Sequence, residues 1–228
     1  MLAAINEALA SFGTPPLSRA PALYDVAVQL VTTLPELDPY QHRPEGRLPS
    51  GDDVSSFLSD GSGDEVFIYF STSERQYPAL MQAVKQLGVP TRAFMPGASD
   101  DELAEMMAAG VMIERKPVPV DLLAKRTRLM IHAGQHGILN LALAAGIPQI
   151  AVPQHLEHLF HAKRAEGLGL LQVVPPRTIV ADEFVVLVRS AYSNMKMRDA
   201  ALDFAAKNRS FYGLNIEALI REKTQLLF

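Results

Sequence analysis

Apolar and polar positions along the chain divide it near residue 63. Residues 14–62 contain seven prolines and end in a cluster of Asp, Gly and Ser, a composition typical of connecting chain. Within them an apolar stretch at 24–34, rich in Val and Leu, predicts a strand added to the sheet that follows. Residues 1–10 place Glu7 among apolar positions with no cationic lead-in, which indicates an amphipathic helix and not a secretory signal.

From residue 65 onward, short apolar runs alternate with helical patterns. The runs predict strands at 66–70, 91–95, 111–113, 129–131, 149–152 and 170–174. Helical spacing is found between them at 80–87, 99–110, 121–125, 138–145 and 157–166, and Ser99 with Glu102 predicts a capping box. The tail from Asp182 is predicted to be helical, with no strand after Pro176.

This alternation is typical of parallel strands joined by crossover helices. It predicts the α/β class: a doubly wound, Rossmann-like parallel sheet with helices on both faces and a helical C-terminal tail. We place a boundary near Gly63, with residues 1–62 as an interdomain linker and lead-in segment and 63–228 as a binding domain. Sheets of this kind bind ligands at the carboxyl ends of their strands, where loops lead into helices.

Composition narrows the classes of function. The 228 residues are 48% hydrophobic and 20% charged, with a formal net charge of -4 and no Lys/Arg-rich run, so nucleic acid is not expected as a partner. The absence of cysteine excludes disulfides and thiol nucleophiles. Since no apolar run approaches the roughly 20 residues needed to span a bilayer, we expect a soluble, cytoplasmic protein.

The turn at 132–137 (HAGQHG) joins a predicted strand to a predicted helix. Free backbone N–H groups and the positive end of the helix dipole meet there, which suits a phosphate. Two glycines also simply permit a tight turn, and the local pattern leaves both interpretations open. The residues predicted to bind phosphate here are His132, Gly134, Gln135, His136, Gly137 and Ile138.

A second strand-to-helix loop, 153–158 (PQHLEH), places Glu157 and His158 where they are predicted to bind sugar hydroxyls. The alternative is an ordinary polar helix start, with Glu157 favouring the dipole. A metal site formed by His155, His158 and His161 is disfavoured, because steps of three and six residues carry the side chains around the helix. We therefore expect no metal and no cofactor.

A third loop, formed by Ser71, Thr72 and Ser73, closes the first strand of the domain. Its hydroxyls either meet an anion or cap the following helix, and capping is the simpler interpretation. Hydrolase chemistry has little support, since no Gly-x-Ser-x-Gly elbow occurs in the sequence.

Residues 122–164 resemble the C-terminal half of GT-B-fold glycosyltransferases of the antibiotic and UDP-glucuronosyltransferase-like family. In that family a strand leads to a His-Gly-Gly-x-Gly-Thr-like turn, a helix ending Ala-Gly-Val-Pro-Gln, and a strand followed by an acid-Gln pair. Residues 145–149 (AGIPQ) match the helix end, and Glu157-His158 stands at the acid-Gln pair. Residues 34–39 resemble the family's interdomain segment.

Three positions depart from the family pattern. Ile138 stands where the turn usually carries Ser or Thr, and His158 replaces the usual Gln. The nucleobase region is expected at Pro117, Val118 and Pro119, where the sequence KPVP fills the place of Trp-Val-Pro-Gln and lacks the stacking aromatic residue.

The resemblance implies transfer of a sugar, with inversion, from a UDP- or dTDP-sugar to an acceptor hydroxyl. It also implies that the general base and most of the acceptor pocket belong to an N-terminal domain, in cis or on a separate subunit. No catalytic residue is therefore assigned to this chain, which we expect to be inactive alone. The competing hypothesis is a non-catalytic nucleotide- or sugar-binding module with the same fold, which the substituted positions favour.

Overall fold

The computed structural model describes residues 1–25, 31–38, 58–71 and 73–225. Within these ranges six parallel strands form one sheet in the order β3-β2-β1-β4-β5-β6. The strands are β1 Glu65–Tyr69, β2 Thr91–Phe94, β3 Met112–Glu114, β4 Thr127–His132, β5 Gln149–Ala151 and β6 Leu171–Val173. Each overlaps one of the six strands that the sequence predicts.

The helices that cross between the strands are α2 Pro78–Lys85, α3 Asp100–Ala108, α4 Val120–Arg126, α5 His136–Ala145 and α6 Leu156–Gly167. Helix α1, Leu2–Ser11, precedes the sheet, and the tail forms α7 Ala181–Tyr192, α8 Met195–Lys207, α9 Arg209–Tyr212 and α10 Ile216–Gln225. Short 3₁₀ turns occur at Ala20–Tyr24, Pro35–Leu37, Glu74–Gln76 and Pro176–Thr178. The predicted helical tail is confirmed.

Alternate residues of the central strands supply two separate cores. Val66 and Ile68 face one side of the sheet, in a cluster that includes Leu80 of α2 and Phe184 of α7. Phe67 faces the other side, in a cluster shared with α4 and α5. Helices therefore cover both faces, and the sheet is doubly wound as the sequence predicts.

The chain reverses its direction of travel across the sheet between β1 and β4. Strands β1 to β3 extend to one side, and β4 to β6 extend to the other. In open parallel sheets this switch point opens a crevice at the carboxyl ends of the two adjacent strands. The loops that follow β1 and β4 border it.

The predicted capping box is present at the start of α3. The Ser99 hydroxyl accepts a hydrogen bond from the Glu102 amide, and the Glu102 carboxylate accepts one from the Ser99 amide. Arg75 donates a 2.7 Å hydrogen bond to the same carboxylate. The loop after β1 is thereby tied to the loop after β2.

The first two tail helices pack on this domain. Phe184 and Val188 of α7 lie in the core beneath α2. Gly146, at the end of α5, has φ 72° and approaches α8 so closely that a Cβ there would lie 3.2 Å from the Cα of Leu202. The apolar faces of α7 and α8 are therefore buried within this domain.

The segment at 31–38 is part of the domain core. Leu34 and Leu37 are almost fully buried, in a cluster with Ala162 of α6 and Tyr212 of α9. The Arg164 guanidinium donates a 2.9 Å hydrogen bond to the carbonyl of Glu36. The boundary near residue 63 remains a prediction, but part of the sequence before it is folded onto the domain.

The strand expected at 24–34 lies partly outside the described residues, since 26–30 are among those the structure does not describe. Of the remainder, Tyr24 ends a 3₁₀ turn, Val31 forms an isolated bridge, and 31–34 does not join the six-stranded sheet. None of the helices in the described ranges is long and apolar enough to cross a membrane.

Candidate functional site

Three loops meet at the carboxyl ends of the adjacent strands β1, β4 and β5. Gln135, after β4, donates a hydrogen bond of 2.9 Å from its side-chain amide to the hydroxyl of Ser71, after β1. The hydroxyl of Ser73 donates one of 3.4 Å to the side-chain carbonyl of Gln154, after β5. The glycine-bearing turn and the 153–158 loop lie close together because their strands are neighbours.

The Ser73 hydroxyl does not cap the helix that follows it. The 3₁₀ turn Glu74–Gln76 begins after Ser73 with no side-chain capping bond. The capping interpretation is therefore wrong for Ser73, because its hydroxyl is used across the loops instead. Thr72 lies outside the described residues.

His132 ends β4 and is fully buried. Its Nε2 lies 2.7 Å from the side-chain oxygen of Gln149 on β5, and its Nδ1 lies 2.9 Å from the amide nitrogen of Gly134. Burial lowers the pKa of His132 to about 4, since the charged imidazolium would lose its hydration. This position does not support the predicted direct contact between His132 and a phosphate.

Gly134 holds the turn in a conformation that other residues rarely adopt. Its φ is 87°, in the left-handed region. A Cβ at Gly134 would lie 3.2 Å from the carbonyl oxygen of His158, so the turn also packs directly against α6. Both observations explain why a glycine stands here.

The start of α5 exposes backbone N–H groups. The first hydrogen bond of the helical pattern is donated by Leu139 to the carbonyl of Gln135, the N-cap residue, over 3.0 Å. The amides of Gly137 and Ile138 precede it and have no acceptor within the helix. Gly137 is exposed, and a Cβ there would meet nothing within 4 Å. This end of α5 is open to a ligand.

Four histidines form two ring pairs beside this helix end. The rings of His136 and His161 have centroids 5.0 Å apart, and those of His155 and His158 are 5.2 Å apart. Burial and the neighbouring His161 lower the pKa of His136, although Glu157 opposes the shift. Burial and His155 likewise lower the pKa of His158. Both rings therefore favour the neutral form in the folded protein.

The ring contacts divide the three histidines that were considered as metal ligands, His155, His158 and His161, between two pairs. His158 pairs with His155, whereas His161 pairs with His136 on another helix. Across the described parts of the chain, no group of three or more His, Asp or Glu side chains is arranged to hold a metal ion.

The predicted nucleobase region packs against one of the apolar clusters of the domain. Pro117 and Pro119 are exposed, and the loop they form precedes α4. Val118 and Ile138 both pack against the apolar cluster that β1 and β4 share with α4 and α5.

Sequence reasoning missed an aromatic pair at the same edge of the sheet. Tyr69 ends β1 and Phe94 ends β2, and their rings stack with centroids 5.9 Å apart. Both rings are half-buried and border the cluster that Val118 borders. The sequence does not show that these two residues are neighbours. Their proximity can be predicted only once the pairing of β1 with β2 is known.

Sequence reasoning also missed the glutamines that join the loops. Gln149 and Gln154 each accept a hydrogen bond from a neighbouring loop or strand. Gln149 ends the AGIPQ segment that carries the family resemblance, but nothing in the local sequence assigns a hydrogen-bond partner to it or to Gln154.

Comparison with known proteins gives one short sequence match and many structural ones. No protein-family model matches the chain. A stretch of 53 residues is 40% identical to the glycosyltransferase GtfC of Amycolatopsis orientalis, covering 23% of this chain and 13% of that protein.

Among solved structures, the glycotransferase of kitacinnamycin matches with a TM-score of 0.76 at 16% identity, over 99% of this chain and 61% of that one. Glycosyltransferase VinC, in complex with dTDP, matches with a TM-score of 0.73 at 18% identity, over 97% and 58%. The calicheamicin glycosyltransferase CalG4 matches with a TM-score of 0.71 at 16% identity, over 99% and 60%.

The chain thus spans about three fifths of the length of these solved glycosyltransferases. Its fold is the Rossmann-like fold of the GT-B C-terminal domain. The resemblance drawn from residues 122–164 and the predicted fold class are both confirmed.

Proposed function

We propose that this chain is the donor-binding domain of a glycosyltransferase that moves a sugar from a nucleoside diphosphate sugar to an acceptor hydroxyl. One observation carries the proposal: in a domain with the GT-B C-terminal fold, three loops are joined around the open start of α5. That is the switch point of the sheet, where ligands of such folds bind.

The diphosphate is assigned to the start of α5. The amides of Gly137 and Ile138 and the positive end of the helix dipole complement an anion there. A helix terminus contributes about 0.3–1 kcal/mol at an exposed site, so the neutral donors around it matter as well. Gln135 and the Ser71 hydroxyl are hydrogen-bonded to each other and lie beside the same turn.

The nucleobase is assigned to the surface formed by residues 117–119 and the nearby Tyr69–Phe94 pair. Pro117 and Pro119 are exposed and supply flat apolar contacts. The aromatic pair packs against the same apolar cluster as Val118 and Ile138, which supports placing the base beside the diphosphate. We propose uracil or thymine as the base, in a uridine or thymidine diphosphate.

The sugar is assigned to the start of α6. Glu157 is exposed in the first turn of that helix, where its carboxylate can accept hydrogen bonds from hydroxyls. The Nδ1 atom of His158 is buried without a hydrogen-bond partner. Because Gly134 packs against the His158 backbone, the sugar site and the phosphate turn are in direct contact.

Charge growing on the leaving diphosphate is then stabilised by donors already in place. We propose that transfer inverts the anomeric centre by direct displacement, and that the general base comes from an N-terminal acceptor domain, in cis or on another subunit. The division of the chain into a linker at 1–62 and a donor domain at 63–228, and a cytoplasmic location, remain predictions.

A second candidate is a non-catalytic module that binds a nucleotide or sugar on the same fold. Ile138 favours it, because an apolar side chain stands in the turn where a hydroxyl would assist the diphosphate. This module would bind nucleotide but would not support transfer when joined to an acceptor domain.

Titration of the ¹⁵N-labelled chain with UDP and with dTDP tests the site. We expect the largest amide chemical-shift changes at residues 134–138, because these amides form the proposed phosphate cradle. Saturating nucleotide that leaves these amides unchanged while moving others would place the donor elsewhere. No change anywhere would remove the donor-binding function.

A further inference from the structure

The hydrogen bonds of His132 determine which ring nitrogen carries its proton. The Gly134 backbone N–H can only donate, so the His132 Nδ1 atom, 2.9 Å away, must accept and carries no proton. The proton of the neutral ring is therefore on Nε2, which donates to the Gln149 side-chain oxygen over 2.7 Å. His132 is held in a single tautomer.

The bond to Nδ1 closes the turn from within. It joins His132 to an amide two residues later, while Gly134 adopts its left-handed φ of 87° and packs against the carbonyl of His158. Gln135, the next residue, is the N-cap of α5. The conformation of this turn therefore decides where the first amides of α5 point.

We propose that His132 is a positioning residue: through its hydrogen bond to Gly134 it holds the Gly137 and Ile138 amides in the geometry that binds the donor diphosphate, without touching the donor. The proposal rests on the donor-binding function inferred above. The side chain has 0% exposure, and both ring nitrogens are occupied within the protein. For a direct contact with phosphate, the His132 ring would have to become exposed and give up one of its two hydrogen bonds.

The chemistry of the bond allows a conservative replacement. Asn side chains accept hydrogen bonds from the backbone two residues on, so His132→Asn keeps an acceptor for the Gly134 amide. His132→Leu fills a similar space but offers no acceptor and leaves that buried amide unpaired. Comparing the two variants distinguishes the effect of losing the hydrogen bond to Gly134 from the effect of losing the imidazole ring.

The experiment uses the full 228-residue chain and has two readouts that need no nucleotide. Imidazole ¹⁵N shifts of the wild-type protein should show an unprotonated Nδ1 and a protonated Nε2. Amide shifts at 134–138 should stay near wild type in His132→Asn and move in His132→Leu. With dTDP as the probe, His132→Asn should bind within about threefold of wild type and His132→Leu about tenfold or more weaker.

Several results would overturn the positioning role. These are a wild-type ring with Nδ1 protonated, turn amides that do not move in His132→Leu, equal losses of dTDP affinity in both variants, or protonation of His132 when dTDP binds. If His132→Leu does not fold, two measurements still test the positioning role. These are the tautomer of the wild-type ring and the affinity of His132→Asn for dTDP. If wild type binds neither dTDP nor UDP, the donor-binding function fails, and the two nucleotide-free readouts still decide whether His132 holds the turn.

Discussion

The side-chain amide of Gln135 and the hydroxyl of Ser71 are joined by a 2.9 Å hydrogen bond across 64 residues of sequence. The bond ties the loop after β4 to the loop after β1, at the switch point of the sheet. Together with the Ser73–Gln154 bond it connects three loops around the proposed anion site. These bonds fix the relative positions of the three loops, which lowers the ordering cost of binding.

A negative charge at the open start of α5 should weaken diphosphate binding without harming the fold. Gly137→Asp places a carboxylate where the phosphates are proposed to lie, and we expect the affinity for dTDP to fall by at least about tenfold. Stability should be unchanged or higher, because an acidic residue near a helix N-terminus contributes about 0.3–1 kcal/mol. Calorimetric titration and thermal unfolding measure the two effects.

Gly167→Asp is the matched control for that charge. Gly167 is exposed at the far end of α6, and a Cβ there would meet nothing within 4 Å. Gly167→Asp changes the net charge by the same amount as Gly137→Asp, but it should leave the affinity for dTDP near that of wild type. Equal losses in both variants would mean that overall charge, and not the start of α5, governs binding.

Replacing Glu157 should distinguish the sugar from the nucleotide. We expect Glu157→Ala to weaken binding of a nucleotide sugar about tenfold, because a charged acceptor for sugar hydroxyls is lost, and to change dTDP affinity little. Glu183→Ala is the control, since Glu183 is also an exposed acidic residue in the first turn of a helix, α7. An equal loss for both ligands would assign Glu157 to the nucleotide or to the fold.

The sequence predicted the sheet because its strands are short apolar runs separated by helical spacing. Each of the six strands was located to within two residues at either end. The capping box at Ser99 and Glu102 was recognisable because its spacing is strictly local. Features that depend on residues within one turn or one strand were therefore accessible from the sequence.

The wrong expectations depended on tertiary contacts. Ser73 has the local pattern of a cap, yet its hydroxyl bonds to Gln154, 81 residues later. The burial of His132 depends on β4 lying between β1 and β5. The packing of α7 and α8 on α2 and α5 could not be predicted, because these partners lie far away in sequence.

Acid should destabilise the fold through its buried histidines. His132, His136 and His158 have pKa values below the ordinary 6.5 in the folded chain. The unfolded chain therefore binds more protons as pH falls below 6.5, and the free energy of unfolding decreases through that window. His132, with its pKa near 4, accounts for about 3 kcal/mol if the pH falls that far.

Denaturant unfolding of wild type and His132→Asn between pH 8 and 5 measures this contribution. The stability of the variant should fall less steeply below pH 6.5, because one buried group that must remain neutral has been removed. Parallel curves for the two proteins would show that His132 does not govern acid sensitivity.

The 228 residues alone should transfer no sugar, even where they bind donor. Stabilising the leaving diphosphate assists departure of the leaving group but does not activate or align the acceptor. Proton removal from the acceptor typically contributes a factor of 10² to 10⁴ and needs a positioned base. Alignment of the acceptor contributes still more, since effective molarities of well-oriented groups reach about 10⁵–10⁸ M. We propose that both come from a domain outside this chain, which spans 61% of a solved glycosyltransferase of the same fold.

The measurement compares the isolated chain with the same chain supplied with an upstream acceptor domain, fused or added separately. Transfer to an acceptor and hydrolysis of the nucleotide sugar are assayed in parallel, and we expect transfer only in the presence of the second domain. Gly137→Asp in the assembled protein is the control, because it should remove transfer by blocking donor binding. Turnover by the isolated chain would place a general base within it, among the histidines near α5 and α6. Donor binding without transfer in the assembled protein would favour the non-catalytic module.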